Sequence, residues 1–147
     1  MDHVAIMKLS WHLLPKILSG EKTLESRWYN TKHAPWDRIQ PGETVYFKDS
    51  GKPVTIKATV QRVLQFDELT PEKVQELLAK HEKDAGIPQE KRALFYDFFK
   101  NKKYCILVFL KNPHAIQPFY INKKGFGMMS AWITVDSIDG IAKTTLF

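Results

Sequence analysis

Between Gly20 and Trp28 the chain gathers Lys22, Glu25, Arg27 and Trp28 in one short stretch. An Arg grips phosphate or carboxylate through two parallel hydrogen bonds, and a Lys adds a mobile point charge. Glu25 can accept from a base amino group or hold Arg27 in position, while Trp28 offers a stacking plate. The two-residue period of a strand puts Thr23, Glu25 and Arg27 on one face and Leu24, Ser26 and Trp28 on the other. Two readings of this ionic face stay open: a grip for an anionic ligand, or a surface ion pair beside a core tryptophan, worth about 0–1 kcal/mol.

Other chemistries find less footing. The histidines (His3, His12, His33, His81, His114) are scattered with no i, i+3 or i, i+4 pair, and Cys105 stands alone, so no metal site and no cofactor is expected. There is no G-x-S-x-G nucleophile elbow, and Gly125-Phe126-Gly127 has neither G-x-G-x-x-G nor a following Lys-Ser/Thr. It reads as a turn before a strand. Lys102-Lys103 and Lys123-Lys124 are basic pairs beside expected strands and suit phosphate contact, or are only solvated lysines at turns. Ser130 can hydrogen-bond a base edge.

The elements that must position these groups follow from periodicity. His3 to Leu9 reads as a first strand, and Leu13, Leu14, Ile17 and Leu18 as a short helix beginning near His12 and stopped by Gly20. Lys22 to Tyr29 is a strand, 30–42 a loop, and Thr44 to Lys48 a short strand turning at Asp49-Ser50-Gly51. Val54 to Phe66 alternates as a half-buried strand. Thr70-Pro71-Glu72 combines an N-cap oxygen, a first-turn proline and an acid facing the helix dipole, so a helix starts there, with Val74, Leu77 and Leu78 as its stripe and Gly86 as its end. A second helix is expected from about Pro88 to Lys100 with Leu94, Phe95, Phe98 and Phe99 inward. Tyr104 to Leu110 is a nearly continuous apolar run, the mark of a buried central strand, and Pro113 and Pro118 bracket a loop or edge segment. Ala131 to Val135 is a last strand. The sum is an α+β chain: a small mixed β-barrel of about six strands, one N-terminal helix and a helical pair inserted at about 67–101.

Composition bounds the rest. At 147 residues the chain is one domain's worth, and 44% hydrophobic with 26% charged residues excludes a disordered or disulfide-scaffold protein. No apolar run approaches the ~20 residues of a membrane helix, and the first residues lack a signal peptide's apolar core. With a lone thiol as well, a cytoplasmic protein without membrane partners is expected. The net charge is +6, yet residues 66–97 hold eight acids and five bases, leaving 17 bases and 8 acids in the other 115 residues. A basic body carrying an acidic insert suits anionic partners.

G-x-K-x-x-E-x-R is the signature of the ASCH domains, a branch of the PUA-like barrels, and Gly20, Lys22, Glu25 and Arg27 match it between the first helix and the second strand. Pro41-Gly42-Glu43-Thr44-Val45 resembles that family's P-G-D-x-V segment, with Glu43 in place of Asp. Residues 3–66 carry the resemblance, whereas 67–135 fit it only in order and type.

The resemblance implies a cleft lined by the motif that binds RNA, a nucleotide or a nucleoside, with a modified base held in an aromatic cage in some relatives. Trp11, Trp28 and Trp36 are the cage candidates, with Tyr46, Tyr104 and Trp132 as further rings; Lys22, Glu25, Arg27, Lys103 and Ser130 would complete the ligand contacts. It also implies an alternative, a hydrolase using Lys22 and Glu25. A bacterial subgroup hydrolyses N4-acetylcytidine with a Thr where this chain has Glu25, and its acid would fall near Glu82 or Asp84. In a ribonuclease, Glu25 would be general base and Arg27 would stabilise the phosphorane.

Overall fold

A computed structural model describes residues 1–127 and 129–143. Its strands are β1 (Asp2–Met7), β2 (Leu24–Tyr29), β3 (Thr44–Asp49), β4 (Val54–Phe66), β5 (Tyr104–Ile121), β6 (Trp132–Val135) and β7 (Ala142–Lys143), and its α-helices are α1 (Leu14–Ser19), α2 (Pro71–His81) and α3 (Arg92–Phe99). Six strands form one curled mixed sheet in the order β2-β5-β4-β3-β1-β6, with β1 and β3 parallel and the other pairs antiparallel; β7 pairs with the far end of β5.

The expected start and stripe hold at α2, where the Thr70 hydroxyl accepts from the Lys73 N–H at 3.2 Å and Val74, Leu77 and Leu78 are buried, but the helix ends at His81 and turns lead on to Gly86. The first helix starts at Leu14 rather than near His12, because a separate 3-10 turn occupies Leu9–Trp11 and His12 takes a left-handed conformation. β5 departs most from expectation. It runs unbroken past Pro113 and Pro118, and the register explains how. Lys111 and His114 pair with Thr59 and Lys57, and Ala115 and Phe119 with Ile56 and Val54, so both prolines sit where the long strand bulges away from β4. A bulge leaves an N–H out of the ladder, and a proline there removes no bond. A third shift near Gln61 adds to the curl.

The curl separates the apolar residues into layers. Ile106, Val108 and Leu110 of β5 face its inside with Val45, Phe47, Ala58 and Val60, and α1 plugs this space with Leu14 and Ile17. Cys105 and Leu107 face outward and pack with Leu24 and Trp28 under α2 and α3. Both faces of β5 are therefore covered, which accounts for its unbroken apolar run. Burial raises the Cys105 thiol far above its ordinary pKa.

The inserted helices do not match the expected orientation throughout. Only Phe95 and Phe99 of the four named apolar residues of the second helix pack on the outer layer; Leu94 and Phe98 are 50% and 49% exposed. At helical spacing the pairs 94/98 and 95/99 lie on adjacent stripes, and the layer beneath is wide enough for one.

Candidate functional site

The ionic face of β2 points into the half-barrel, because Glu25 lies opposite Val108 and Arg27 opposite Ile106, both inner-layer residues. Here the motif's charges form a mostly buried, mutually bonded network. Lys22 and Glu25 are 3% and 5% exposed. Lys22 Nζ donates to the carbonyls of Leu24 at 2.8 Å and Ala85 at 2.6 Å and lies 3.3 Å from Glu25 Oε1. Glu25 Oε2 accepts from Arg27 Nη2 at 3.0 Å. Arg27 also reaches across the open side of the curl, with Nη1 donating to Ala131 O at 3.0 Å and Nη2 directed at Ile6 O, and its guanidinium lies 5.3 Å from the centre of the Trp132 ring. It thus straps β2 to the strands at the other edge of the sheet.

The protonation states follow from this geometry. Burial raises the Glu25 carboxyl, but the adjacent Lys22 and Arg27 more than offset it, so its pKa lies below the ordinary range. Burial lowers the Lys22 ammonium, opposed by Glu25, and its acceptors favour the charged form.

The insert helps build this network. The carbonyl of Asp84 accepts from the N–H groups of Thr23 and Leu24 at 2.8 and 3.0 Å, beside the Ala85 contact to Lys22. Gly86 makes the close approach feasible. It adopts φ +76°, and a Cβ there would meet Lys22 Cβ at 3.2 Å. Glu82, named for its resemblance to a catalytic acid, is instead engaged by the Arg92 guanidinium, whose Nε donates to it at 2.6 Å.

Over this network lies a cavity of about 470 Å³ lined by β1, the Leu9–Trp11 turn, β2, Phe99 of α3 and the 129–131 segment. Glu25, Ser26, Arg27 and Trp28 reach it from β2, and Lys8, Trp11, Lys123 and Ser130 line its mouth. Trp11 is 40% exposed, with Lys8 Nζ 5.4 Å from its ring centre and the edge of Phe95 beside it. Trp28 is mostly committed: it stacks on Phe99 at 4.7 Å with the planes 6° apart, and its indole N–H donates to Ser26. Ser130 donates to the carbonyl of Phe126, and Lys123 Nζ donates to the carbonyl of Ser130.

Several named residues lie elsewhere. Trp36 packs against Tyr104 at 5.2 Å, under Lys32, and does not line the cleft; Tyr104 goes with it. Tyr46 meets Phe119 at 5.9 Å in a separate groove near Ile138. Lys103 is exposed at the start of β5, its N–H donating to Tyr29 O, and lines no described cavity. Trp132 is buried, and its indole N–H donates to His3 Nδ1 at 3.2 Å. His3 is wholly buried and donates through Nε2 to Glu43 at 2.8 Å; burial lowers its pKa, opposed by Glu43.

Sequence reasoning missed Lys8, Leu13, Met7 and Phe99 as lining residues. A signal was present for Lys8, a cation three residues before an aromatic. Among the described residues no cluster of His, Cys, Asp and Glu could hold a metal, and no helix is long and apolar enough to cross a membrane.

No protein-family model and no curated protein matches the sequence. Solved structures do match its shape. The ASCH protein of Zymomonas mobilis superposes with a TM-score of 0.65 at 17% identity, over 91% of this chain and 87% of that one. A single-substitution variant of it gives 0.67 at 16% identity, over 95% and 93%. The N-terminal domain of Staphylothermus marinus McrB gives 0.50 at 11% identity, over 80% and 75%. With the curled sheet, the plugging helix and the motif slot already described, these likenesses show that the chain has the fold of an ASCH domain.

Proposed function

We propose that the protein is an RNA- or nucleotide-binding module whose ligand enters the cleft above Lys22, Glu25 and Arg27, one base lying against Trp11. The observation that carries this reading is the pairing, at one mouth, of an exposed indole with Lys8 and Lys123, above a floor of polar groups from β2. A base has a π-face for Trp11, and its phosphate has the lysines. The room of about 470 Å³ falls within the ~300–1,000 Å³ of small-molecule sites. Modified bases are the natural candidates for such a pocket, with Ser26 and Ser130 as polar contacts.

The hydrolase alternative has less support. Both oxygens of Glu25 are engaged and its pKa is lowered, which makes it a weak general base; Lys22 is held by three acceptors. Titration of the protein with nucleoside monophosphates and short RNA at two salt concentrations tests the binding reading. Affinity is expected to fall linearly in log–log form as salt rises, and Trp11→Ala to weaken it. Absence of binding, or binding indifferent to Trp11→Ala, overturns it.

A further inference from the structure

We propose that the cleft continues into a second compartment, walled by α3, that holds a second base of a single-stranded nucleic acid whose first base occupies the cleft. This rests on the nucleotide-binding reading above and narrows it: the ligand is two or more linked nucleotides rather than a free nucleoside.

A second cavity of about 250 Å³ adjoins the first, and the two share Trp11, Leu13, Glu25, Ser26 and Phe99 as lining. Trp11 therefore borders both cavities, with Lys8 Nζ over its ring and Phe95 in an edge contact with it. The outer walls come from Leu94, Phe95 and Phe98. Alone, the compartment falls below the ~300 Å³ at the lower end of ligand sites, so it suits one ring of a larger ligand rather than a ligand of its own.

The surplus apolar surface of α3 supports the same conclusion. Phe95 and Phe99 already dock the helix on the outer layer, leaving Leu94 and Phe98 half exposed, Phe98 in edge contact only with Phe95 and Phe99 among the described aromatic rings. They border the cavity beside Trp11. A purely apolar partner fits poorly, because Lys16 and Lys91 stand at the same cavity and its inner end is polar, with Glu25, Lys22 and Ser26. A flat heteroaromatic ring joined to a phosphodiester meets all three requirements: aromatic walls, polar floor and cationic rim. Continuity through the shared lining supplies the link, since consecutive bases of one strand can lie in the two adjoining cavities that Trp11 borders.

The four nucleoside 5′-monophosphates and the matching 5′-phosphorylated homodinucleotides serve as probes, with affinities measured by calorimetry on the full chain. At least one dinucleotide is expected to bind about tenfold more tightly than its monophosphate, in line with one added base stack. Phe98→Ala and Leu94→Ser, at half-exposed positions, should remove most of that gain and leave the monophosphate affinity unchanged. Lys91→Ala should lower the dinucleotide's salt dependence alone, which keeps the test open should either α3 variant fold poorly. Equal affinities for mono- and dinucleotide, or equal losses for both in the α3 variants, overturn the second compartment while leaving the cleft intact. No binding of either probe overturns the functional reading itself and this proposal with it. A concentration-dependent dimer abolished by Phe98→Ala would place a second copy of the chain on this face and also overturn it.

Discussion

The floor of the cleft and its mouth are built on opposite principles. On the floor, Lys22 and Glu25 are buried and Arg27 nearly so; Glu25 joins the two cations, which also donate to the carbonyls of Leu24, Ala85 and Ala131. At the cleft Trp11 exposes 40% of its surface, and in the adjoining compartment Leu94 and Phe98 expose 50% and 49%. Removing one partner of a buried ion pair strands the others in a poorly polar medium, so such a trio is costly to disturb. An exposed ring costs little to lose from the fold and contributes only when something covers it. The contrast teaches that a recognisable charged motif can be satisfied within the fold while its neighbours stay exposed. Here it joins the edge strand, the insert and the opposite edge of the sheet, and on the reading proposed above it forms the polar floor of the ligand site.

The contrast breaks most visibly at Glu25. Glu25→Gln is expected to cost about 3–5 kcal/mol of stability in urea unfolding, because Lys22 and Arg27 lose their counter-charge; a loss below about 1 kcal/mol would mean the trio is solvated after all. Gly86→Ala tests the insert's part in the floor. A side chain at φ +76° pressed on Lys22 should cost about 1–3 kcal/mol and lower stability without touching the mouth.

Trp11→Ala should do the reverse. Stability changes by no more than about 1 kcal/mol, while nucleotide affinity drops by about 1–3 kcal/mol in calorimetry. Lys8→Ala should reduce the slope of log affinity against log salt by about 1 and leave unfolding unchanged.

The smallest effect belongs to His3, buried at the far end of β1. Its folded pKa lies below 6.5, so as pH falls past that value the unfolded chain takes up a proton that the folded chain resists, and stability declines toward the folded pKa. Urea unfolding at pH 7 and pH 5.5 should show a shallower decline in His3→Gln than in the parent; identical declines would show that His3 titrates freely.

How much of this was legible in the sequence differs along the chain. The α2 start, the β4 alternation and the motif's slot after the first helix depend on local spacing, and they match. The extent of β5 was hidden because a proline's effect depends on register against β4, which no local pattern reveals. Leu94 and Phe98 were expected inward because apolar residues at helical spacing normally face a core; whether the core is wide enough for two stripes is a property of the sheet beneath. The aromatic candidates divide for a similar reason. Trp11 reaches the cleft because its turn borders α1, whereas Trp36 and Tyr46 meet Tyr104 and Phe119, ring partners distant in sequence. The buried state of Lys22 was least visible, since its acceptor at Ala85 lies 63 residues away.

The most direct test of the central claim is a crystal structure of the protein with a saturating nucleotide. The account predicts the base against Trp11 with its phosphate toward Lys8, and the Lys22–Glu25–Arg27 contacts unchanged beneath it. A nucleotide that displaces Glu25 from Lys22 and Arg27, or one seated beside Trp36 or Tyr46, would contradict it.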